Sequence, residues 1–324
     1  MRPALLRWTV LAVFVVACSG VSADEQIAGK AWLDRMSRAV QSLNYEGTFI
    51  YSHEGELETM YIVHRVDEHG ERERLVSLSG SRREIVRENQ KVTFFFTDDR
   101  SVVVDERLAG LFPSLGRQFE KVGNSYQFVM LGSDRVAGLD ARVLDIRPRD
   151  GFRYGYRLWL EEKSGMLLRS ELLDESELPI EQVMFTSITI GGHIPDNALK
   201  ATTRTEGFTW FRDEPEPGTE SVRRDWIVKA LPDGFELTGY SREKLPGRES
   251  RVSHLVFSDG LASVSVYVEP AGEEESPEGY SRIGGLSLYS VTDGEHQVTV
   301  VGEVPQVTVE SMGRSVEPIR VAGQ

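Results

Sequence analysis

Cysteine is nearly absent from this chain: Cys18 is the only one in 324 residues. It closes the one long apolar run, Trp8 to Cys18, which follows Arg2 and Arg7 and precedes the small residues Val21, Ser22 and Ala23. Basic charge, apolar stretch and small residues in that order form a secretory signal peptide over residues 1–23, with cleavage expected after Ala23. The mature chain would then carry no cysteine, which excludes disulfides, thiolate nucleophiles and thiolate zinc sites even in an oxidising compartment. Val15-Val16-Ala17-Cys18 admits a second reading, a lipoprotein site acylated on Cys18. No later segment approaches the roughly 20 apolar residues of a transmembrane helix.

Histidine is scarce too, with six residues scattered along the chain. His64 and His69 are near each other but not at helical ligand spacing, and Gly70 marks a turn beside them, so no metal site is expected. There is no G-x-S-x-G, H-E-x-x-H, P-loop or G-x-G-x-x-G pattern, and therefore no catalytic residue or cofactor to assign from motifs. His53-Glu54 and Asp98-Asp99 have the right groups for acid-base work, but both fall in charged turns of the kind that is ordinarily solvated. Basic charge is in deficit, 37 Lys and Arg against 51 Asp and Glu, a formal balance of −14. Loss of Arg2 and Arg7 with the leader leaves 35 against 51, or −16. Such a surface repels phosphate backbones at long range, so nucleic acid is not an expected partner. Arg242, Lys244, Arg248 and Arg251 form a local basic patch that suits an acidic partner or lipid headgroups, or else a solvated loop.

What is present is strand pattern. Tyr45, Gly47, Phe49 and Tyr51 alternate onto one face, as do Met60, Ile62 and His64, with Gly55 in the turn between. Further strands are expected over Val92 to Phe96, Val102 to Val104, Tyr126 to Leu131, Phe152 to Leu160, Leu167 to Leu173 and Gln182 to Ile190. Ahead of them, Ile27, Ala31, Trp32, Met36, Ala39, Val40 and Leu43 recur at helical spacing and predict an amphipathic helix packed on the sheet. Leu108 to Phe119 is a second, irregular helical candidate because of Pro113 and Gly116. Asp213 to Thr219 combines charge, two prolines and a glycine and is placed in a linker over 205–221, between a domain at 24–204 and a smaller one at 222–318 with a tail at 319–324. In the smaller domain strands are expected over Trp226 to Lys229, Phe235 to Tyr240, His254 to Phe257, Ala262 to Val268, Leu286 to Val291, Val298 to Val301 and Val307 to Val309. Hairpin turns are expected at Asp259-Gly260 and Asp293-Gly294, with a loop at Glu273 to Pro277 and a short helix near Tyr280 to Ile283.

Several sequence words occur in order: Gly47-Thr48-Phe49-Ile50-Tyr51, His64-Arg65, Arg72-Glu73-Arg74-Leu75 and Gly80 to Arg87. After them come Arg135 to Gly138, Pro148-Arg149-Asp150 with Arg153-Tyr154-Gly155, and Leu158-Trp159-Leu160 leading to Ser164-Gly165. The second half continues with Trp226, Leu231-Pro232-Asp233-Gly234-Phe235, Asp259 to Ala262, Val268-Glu269-Pro270 and Val298 to Pro305. In order and approximate spacing this resembles the RseB/MucB family of periplasmic envelope-stress regulators over nearly all of the mature chain. The resemblance implies an α+β fold: an N-terminal curved antiparallel sheet, an incomplete β-barrel of the LolA/LppX lipoprotein-carrier type with packed helices, and a smaller strand-rich C-terminal domain. It implies a negative regulator that binds the periplasmic segment of an anti-sigma factor of the RseA/MucA type, shields it from site-1 proteolysis, and is released by lipid or lipopolysaccharide.

The candidate sites join residue pattern and resemblance. Phe49, Tyr51, Met60, Ile62, Phe94, Phe96, Phe152, Tyr154, Tyr156 and Leu158 form an aromatic and aliphatic wall, which is either core filled by the helix or a cavity for acyl chains. Arg82, Arg83 and Arg87 would pair with headgroup phosphate or carboxylate, or else are charges on an exposed face. Partner contact is assigned to the C-terminal domain through Trp226, Phe235, Arg242, Lys244, Arg248, Arg251 and Tyr267. A second copy of the chain is a further candidate partner. Two other functions fit the same features: a lipid or lipoprotein carrier with no signalling partner, and a secreted hydrolase with a site assembled from distant residues.

Overall fold

The computed structural model describes residues 23–105, 122, 125–212, 224–243, 251–272 and 278–319. Residues 1–22 of the expected leader, the Leu108 to Phe119 candidate, the Asp213 to Thr219 linker motif and the Glu273 to Pro277 run lie outside them, while Ala23, the last leader residue, begins α1. Helix α1 (Ala23–Ser42) leads into strands β1 (Tyr45–His53), β2 (Glu56–Asp67), β3 (Gly70–Ser77), β4 (Arg83–Glu88), β5 (Lys91–Phe96) and β6 (Ser101–Asp105). Then follow β7 (Tyr126–Val136), β8 (Leu139–Pro148), β9 (Gly155–Glu161), β10 (Leu167–Leu173), β11 (Pro179–Ile190) and β12 (Thr209–Arg212). All twelve make one sheet in the order β12-β6-β5-β4-β3-β2-β1-β11-β10-β9-β8-β7. Its edge strands, β12 and β7, are not paired to each other, so the barrel is incomplete. Register shifts at Thr48/Phe49, Met130/Gly132 and Leu172/Leu173 insert bulges, and bulges bend and twist a sheet locally.

Tight turns fit the residues that make them. Glu54 and Gly55 both have positive φ (49° and 82°), as do Ala137 and Gly138 (50° and 82°), which joins β1 to β2 and β7 to β8 by two-residue hairpin loops. Helix α1 packs mainly on β7. Leu33, Met36 and Ala39 form its buried stripe, while Ile27 is 67% exposed and Ala31 is exposed. The expected stripe was thus rotated: Leu33, not Ile27 or Ala31, sits at its centre. Gly29 extends the buried side, where the helix approaches Phe128 and Leu144.

The second unit has strands β13 (Trp226–Val228), β14 (Glu236–Glu243), β15 (Val252–Ser258), β16 (Ser263–Pro270), β17 (Gly279–Ile283), β18 (Leu286–Asp293), β19 (His296–Gly302) and β20 (Val316–Pro318), with helix α2 (Gln306–Gly313) before the last. Six of them form a sheet in the order β14-β15-β16-β19-β18-β17, and β13 pairs with β20. The hairpins at Asp259-Gly260 and Asp293-Gly294 are present. Helix α2 lays Val309 and Met312 on the sheet, in one core with Leu255, Val266 and Val300.

Four local expectations are corrected. Val307 to Val309 is helical: Pro305 precedes the first turn, and Thr308 and Val309 face the core while Val307 is exposed. Tyr280 to Ile283 is strand β17, because it has a partner in β18. Phe152 and Tyr154 precede β9, which begins at Gly155. Thr209–Arg212, assigned to the linker, is a strand parallel to β6; the Trp210-Phe211 pair has strand propensity, and linker composition starts only at Asp213.

Candidate functional site

The register of β1 to β5 aligns three rows across the inner face of the half-barrel. The deepest runs Tyr45, His64, Glu73, Arg87, Val92; the next Gly47, Ile62, Leu75, Ile85, Phe94; and the third contains Phe49 and Met60, with Arg83 opposite Phe96 at the far side.

The deepest row is polar and buried. His64 stacks on Tyr45 with ring centroids 4.7 Å apart. Its Nδ1 lies 2.9 Å from the Leu43 carbonyl and its Nε2 3.1 Å from Glu71 Oε1, both acceptor oxygens. Arg87 donates to Glu71 and Glu73. Burial works to raise the Glu71 carboxyl, but hydrogen bonds from His64 and Arg87 outweigh it and bring it down to about 2. The Glu73 carboxyl is pushed up, by burial first, against the pull of Arg87. Arg87 therefore belongs to a closed ion-pair network and is corrected from the headgroup set. Ile62, fully buried, and Leu158, fully buried beside α1, are likewise core residues.

Above these rows is an apolar cavity of about 400 Å³, within the ordinary range of small-molecule sites. Of the expected wall, Phe49, Tyr51, Met60, Phe94, Phe96 and Tyr156 line it, together with Arg83. Leu75, Ile85, Leu172 and Val183 complete it. The first two lie in sequence words already noted, Arg72 to Leu75 and Gly80 to Arg87, but no individual strand was expected there; Leu172 and Val183 need the β10 and β11 register. The wall is divided: α1 fills the β7–β10 side as core, and the β1–β5 side borders the cavity.

The cavity's polar edge comes from both domains. Glu181 accepts from Tyr51 Oη (3.1 Å) and from the Gly285 N–H (2.8 Å), and Glu54 accepts from the Gly284 N–H (2.7 Å). Glu303, just after β19, lines the same cavity. Burial and then the Glu181 charge push its carboxyl up, and burial and then Glu181 raise the Tyr51 phenol. No sequence signal links Glu303 to this wall, because only domain packing brings it there.

The domain seam is built around Arg153, whose side chain is 0% exposed. It donates to Asp259 Oδ2 (2.7 Å), the Asp233 carbonyl (2.6 Å) and Asp150 (3.1 Å), and its guanidinium lies over the rings of Tyr126 and Phe235. Tyr126 Oη also donates to Asp259 Oδ2. Thr308 donates to the Phe152 carbonyl (2.7 Å), and Tyr154 is buried with Ser287 and Tyr280 nearby. Phe152, Tyr154 and Phe235 thus serve the seam: the first two are corrected from the cavity wall, and Phe235 is buried against Arg153 and the C-terminal core. Gly234 at φ +87° lets the Leu231 to Phe235 turn approach Ser125, where any Cβ would collide with the hydroxyl.

Among the remaining expected residues, Trp226 is half-buried and meets His296 edge-on at 4.7 Å, and Tyr267 stacks on His254 at 4.3 Å. Arg242 pairs with Asp225 at 2.7 Å, and Arg251 is exposed. Lys244 and Arg248 lie outside the described residues. Arg82 is exposed at the start of β4, and Arg83 pairs with Glu58.

Two family models match in tandem, the MucB/RseB N-terminal domain over residues 28–203 and the MucB/RseB C-terminal domain over 220–317. The chain is 32% identical over 318 residues to the sigma factor AlgU regulatory protein MucB of Pseudomonas aeruginosa, covering 97% of this chain and 98% of that one. It is 28% identical over 321 residues to the sigma-E factor regulatory protein RseB of Haemophilus influenzae, covering 98% and 99%. Among solved structures it superimposes on MucB in complex with MucA(peri) with a TM-score of 0.72 and 31% identity, over 90% of this chain and 100% of that one. Both domains, in the same order and over almost their whole length, are accounted for, and the chain belongs to the MucB/RseB family.

Proposed function

We propose that this protein is a periplasmic regulator that binds the periplasmic segment of an anti-sigma factor and so regulates a stress sigma factor. The observation that carries this reading is the two-domain likeness to MucB bound to MucA(peri), at a TM-score of 0.72 over 90% of this chain. Export follows from the leader at residues 1–23, and the bound anti-sigma segment is shielded from site-1 proteolysis. The C-terminal domain supplies partner contacts from Trp226, Arg242, Arg251 and Tyr267, and from the sequence pattern Lys244 and Arg248 are assigned to the same role. The 400 Å³ cavity takes lipid acyl chains, each buried methylene contributing roughly 0.8 kcal/mol before ordering costs.

A physical link between the two ligands is supported by Glu303, Gly284 and Gly285, C-terminal-domain residues that line or cap the N-terminal cavity. Lipid that displaces them changes the surface offered to the anti-sigma segment. Reciprocity then requires bound segment to weaken lipid by the same factor. The test is a calorimetric titration of the mature protein with the periplasmic segment of the cognate anti-sigma factor, repeated with lipopolysaccharide fragments. Binding that lipopolysaccharide weakens is the expected result; absence of binding, with lipid still retained, would leave a carrier.

A further inference from the structure

One side of the C-terminal sheet ends in a short strand with no described strand beyond it. In the order β14-β15-β16-β19-β18-β17, β17 (Gly279–Ile283) pairs only with β18, antiparallel from Gly279↔Ser290 to Ile283↔Leu286. Gly284 and Gly285 join the two strands, and of this pair only Gly284 has positive φ (56°). A glycine of that kind at the first of two loop positions marks a type II′ hairpin, whose closing residues, here Ile283 and Leu286, exchange both hydrogen bonds. Antiparallel pairs alternate, so Gly279, Ser281 and Ile283 turn their N–H and C=O groups to β18. Tyr280 and Arg282 turn theirs outward, and no described segment pairs with them.

Two other edges are guarded. On β7 the Gln26 side chain accepts from the Phe128 N–H (2.9 Å) and donates to the Tyr126 carbonyl (3.1 Å), as a neighbouring strand would, and a bulge follows at Met130/Gly132. On β14 a bulge interrupts the register at Leu237/Gly239. Such devices keep a sheet from recruiting further strands. By contrast β17 has a regular register, and Gly279, Ser281, Arg282 and Ile283 are all exposed. Tyr280 anchors the strand from within, its hydroxyl 3.3 Å from Ser287 Oγ.

The side chains along this edge narrow the partner. Ile283 and Leu286, 67% and 42% exposed, stand opposite each other and project on one face, where aliphatic side chains of an added strand would cover them. Arg282 projects on the other face, with Tyr280. The carboxylates of Glu54 and Glu181 at the hairpin tip accept from the Gly284 and Gly285 N–H groups. Among the described residues the Arg282 guanidinium makes no hydrogen bond or ion pair. In a chain whose formal balance is −14, that unpaired cation calls for a carboxylate on the added strand. A second copy of this chain pairing through its own β17 would bring a second arginine instead.

We propose that the β17 edge is a strand-addition site for an extended partner segment in which acidic and aliphatic residues alternate. Its acids fall on the Arg282 face and its aliphatics beside Ile283 and Leu286, while its backbone pairs with Tyr280 and Arg282. The site is at the opposite edge of the sheet from Arg242 on β14, and it stands independently of the anti-sigma reading.

The probes are three blocked heptapeptides: valine alternating with glutamate, the same peptide N-methylated throughout, and valine alternating with lysine. Each is titrated into the isotope-labelled mature protein and followed by amide chemical shifts. The glutamate peptide should shift β17, centred on Tyr280 and Arg282, and bind about tenfold or more tightly than its methylated counterpart, which cannot donate to the edge. It should also bind more tightly than the lysine peptide, although net charge favours the cation. Arg282→Gln should weaken the glutamate peptide about two- to fivefold. Arg282→Pro removes an outward N–H without touching the β18 ladder and should abolish binding; a thermal melt checks that both variants fold, and the methylated peptide tests the same donors in the unaltered chain. Absence of β17 shifts, or equal binding of methylated and unmethylated peptides, overturns the strand-addition site. A lysine peptide that binds as tightly as the glutamate one, or unchanged affinity in Arg282→Gln, overturns the assigned partner chemistry. Shifts of the β17 amides on raising protein concentration alone overturn it in favour of a second copy.

Discussion

Arg153 concentrates the chemistry of the domain seam in one side chain. A guanidinium with no exposed surface forfeits its hydration, and several kcal/mol must be recovered from its surroundings. Here Asp259, the Asp233 carbonyl and Asp150 accept from it, while Tyr126 and Phe235 offer ring faces. Truncation would leave Asp259 buried with its Tyr126 bond and backbone donors but no countercharge. Arg153→Ala is expected to cost roughly 3–5 kcal/mol, read as a lower urea midpoint and as separation of one unfolding transition into two as the domains uncouple. An unchanged single transition would mean that the seam does not depend on this pair. The Arg153-Tyr154-Gly155 word was legible in the sequence, but its role was not, since its fully buried countercharge, Asp259, is 106 residues away. Arg82, Arg83 and Arg87 teach the same lesson at short range: alternation puts Arg83 and Arg87 on one face of β4, and only the neighbouring strands decide that one meets Glu58 at the rim and the other Glu71 and Glu73 in the interior.

At the scale of elements, strands were the more legible because alternation of period two survives in β1, β2 and β5 whatever packs on them. Helix α1 was recognised as a helix but rotated about its axis. A glycine carries no hydrophobic signal, yet Gly29 marks a close approach of the helix to the sheet: an added Cβ would fall within the shell of Phe128 Cβ and 3.2 Å from Leu144 Cδ1. Propensity alone predicts that Gly29→Ala gains up to about 1 kcal/mol. Overpacking a well-filled contact costs about 1–3 kcal/mol, and the neighbour to be displaced is held at its Cβ rather than at a flexible tip, so the clash should win. The expected outcome is net destabilisation in urea, with α1 shifted off β7. A stabilised Gly29→Ala protein would show that helix and sheet part at no cost.

The whole molecule completes the N-terminal domain's cavity with a residue of the C-terminal domain, Glu303. Glu303 lies close enough to Glu181 for their charges to oppose, and burial adds to the pressure on its carboxyl. Its pKa in the closed arrangement therefore stands above the ordinary value of 4.5. In an arrangement with the domains drawn apart, the carboxyl is hydrated and returns towards that value. The closed state consequently takes up a proton more readily: acid favours closure, and the preference fades as pH rises from the ordinary value through the closed-state one. A lipid chain that must pass Glu303 should bind more tightly as pH rises across this window. A neutral amphiphile such as dodecyl maltoside isolates the effect, because the ligand does not titrate. Glu303→Gln, permanently uncharged, is expected to hold the low-pH affinity throughout, flattening the slope. Tyr51 and Tyr156 also face this region, but burial raises both phenols and removes them from the window. An undiminished slope in Glu303→Gln would mean that Glu303 is not the linked group.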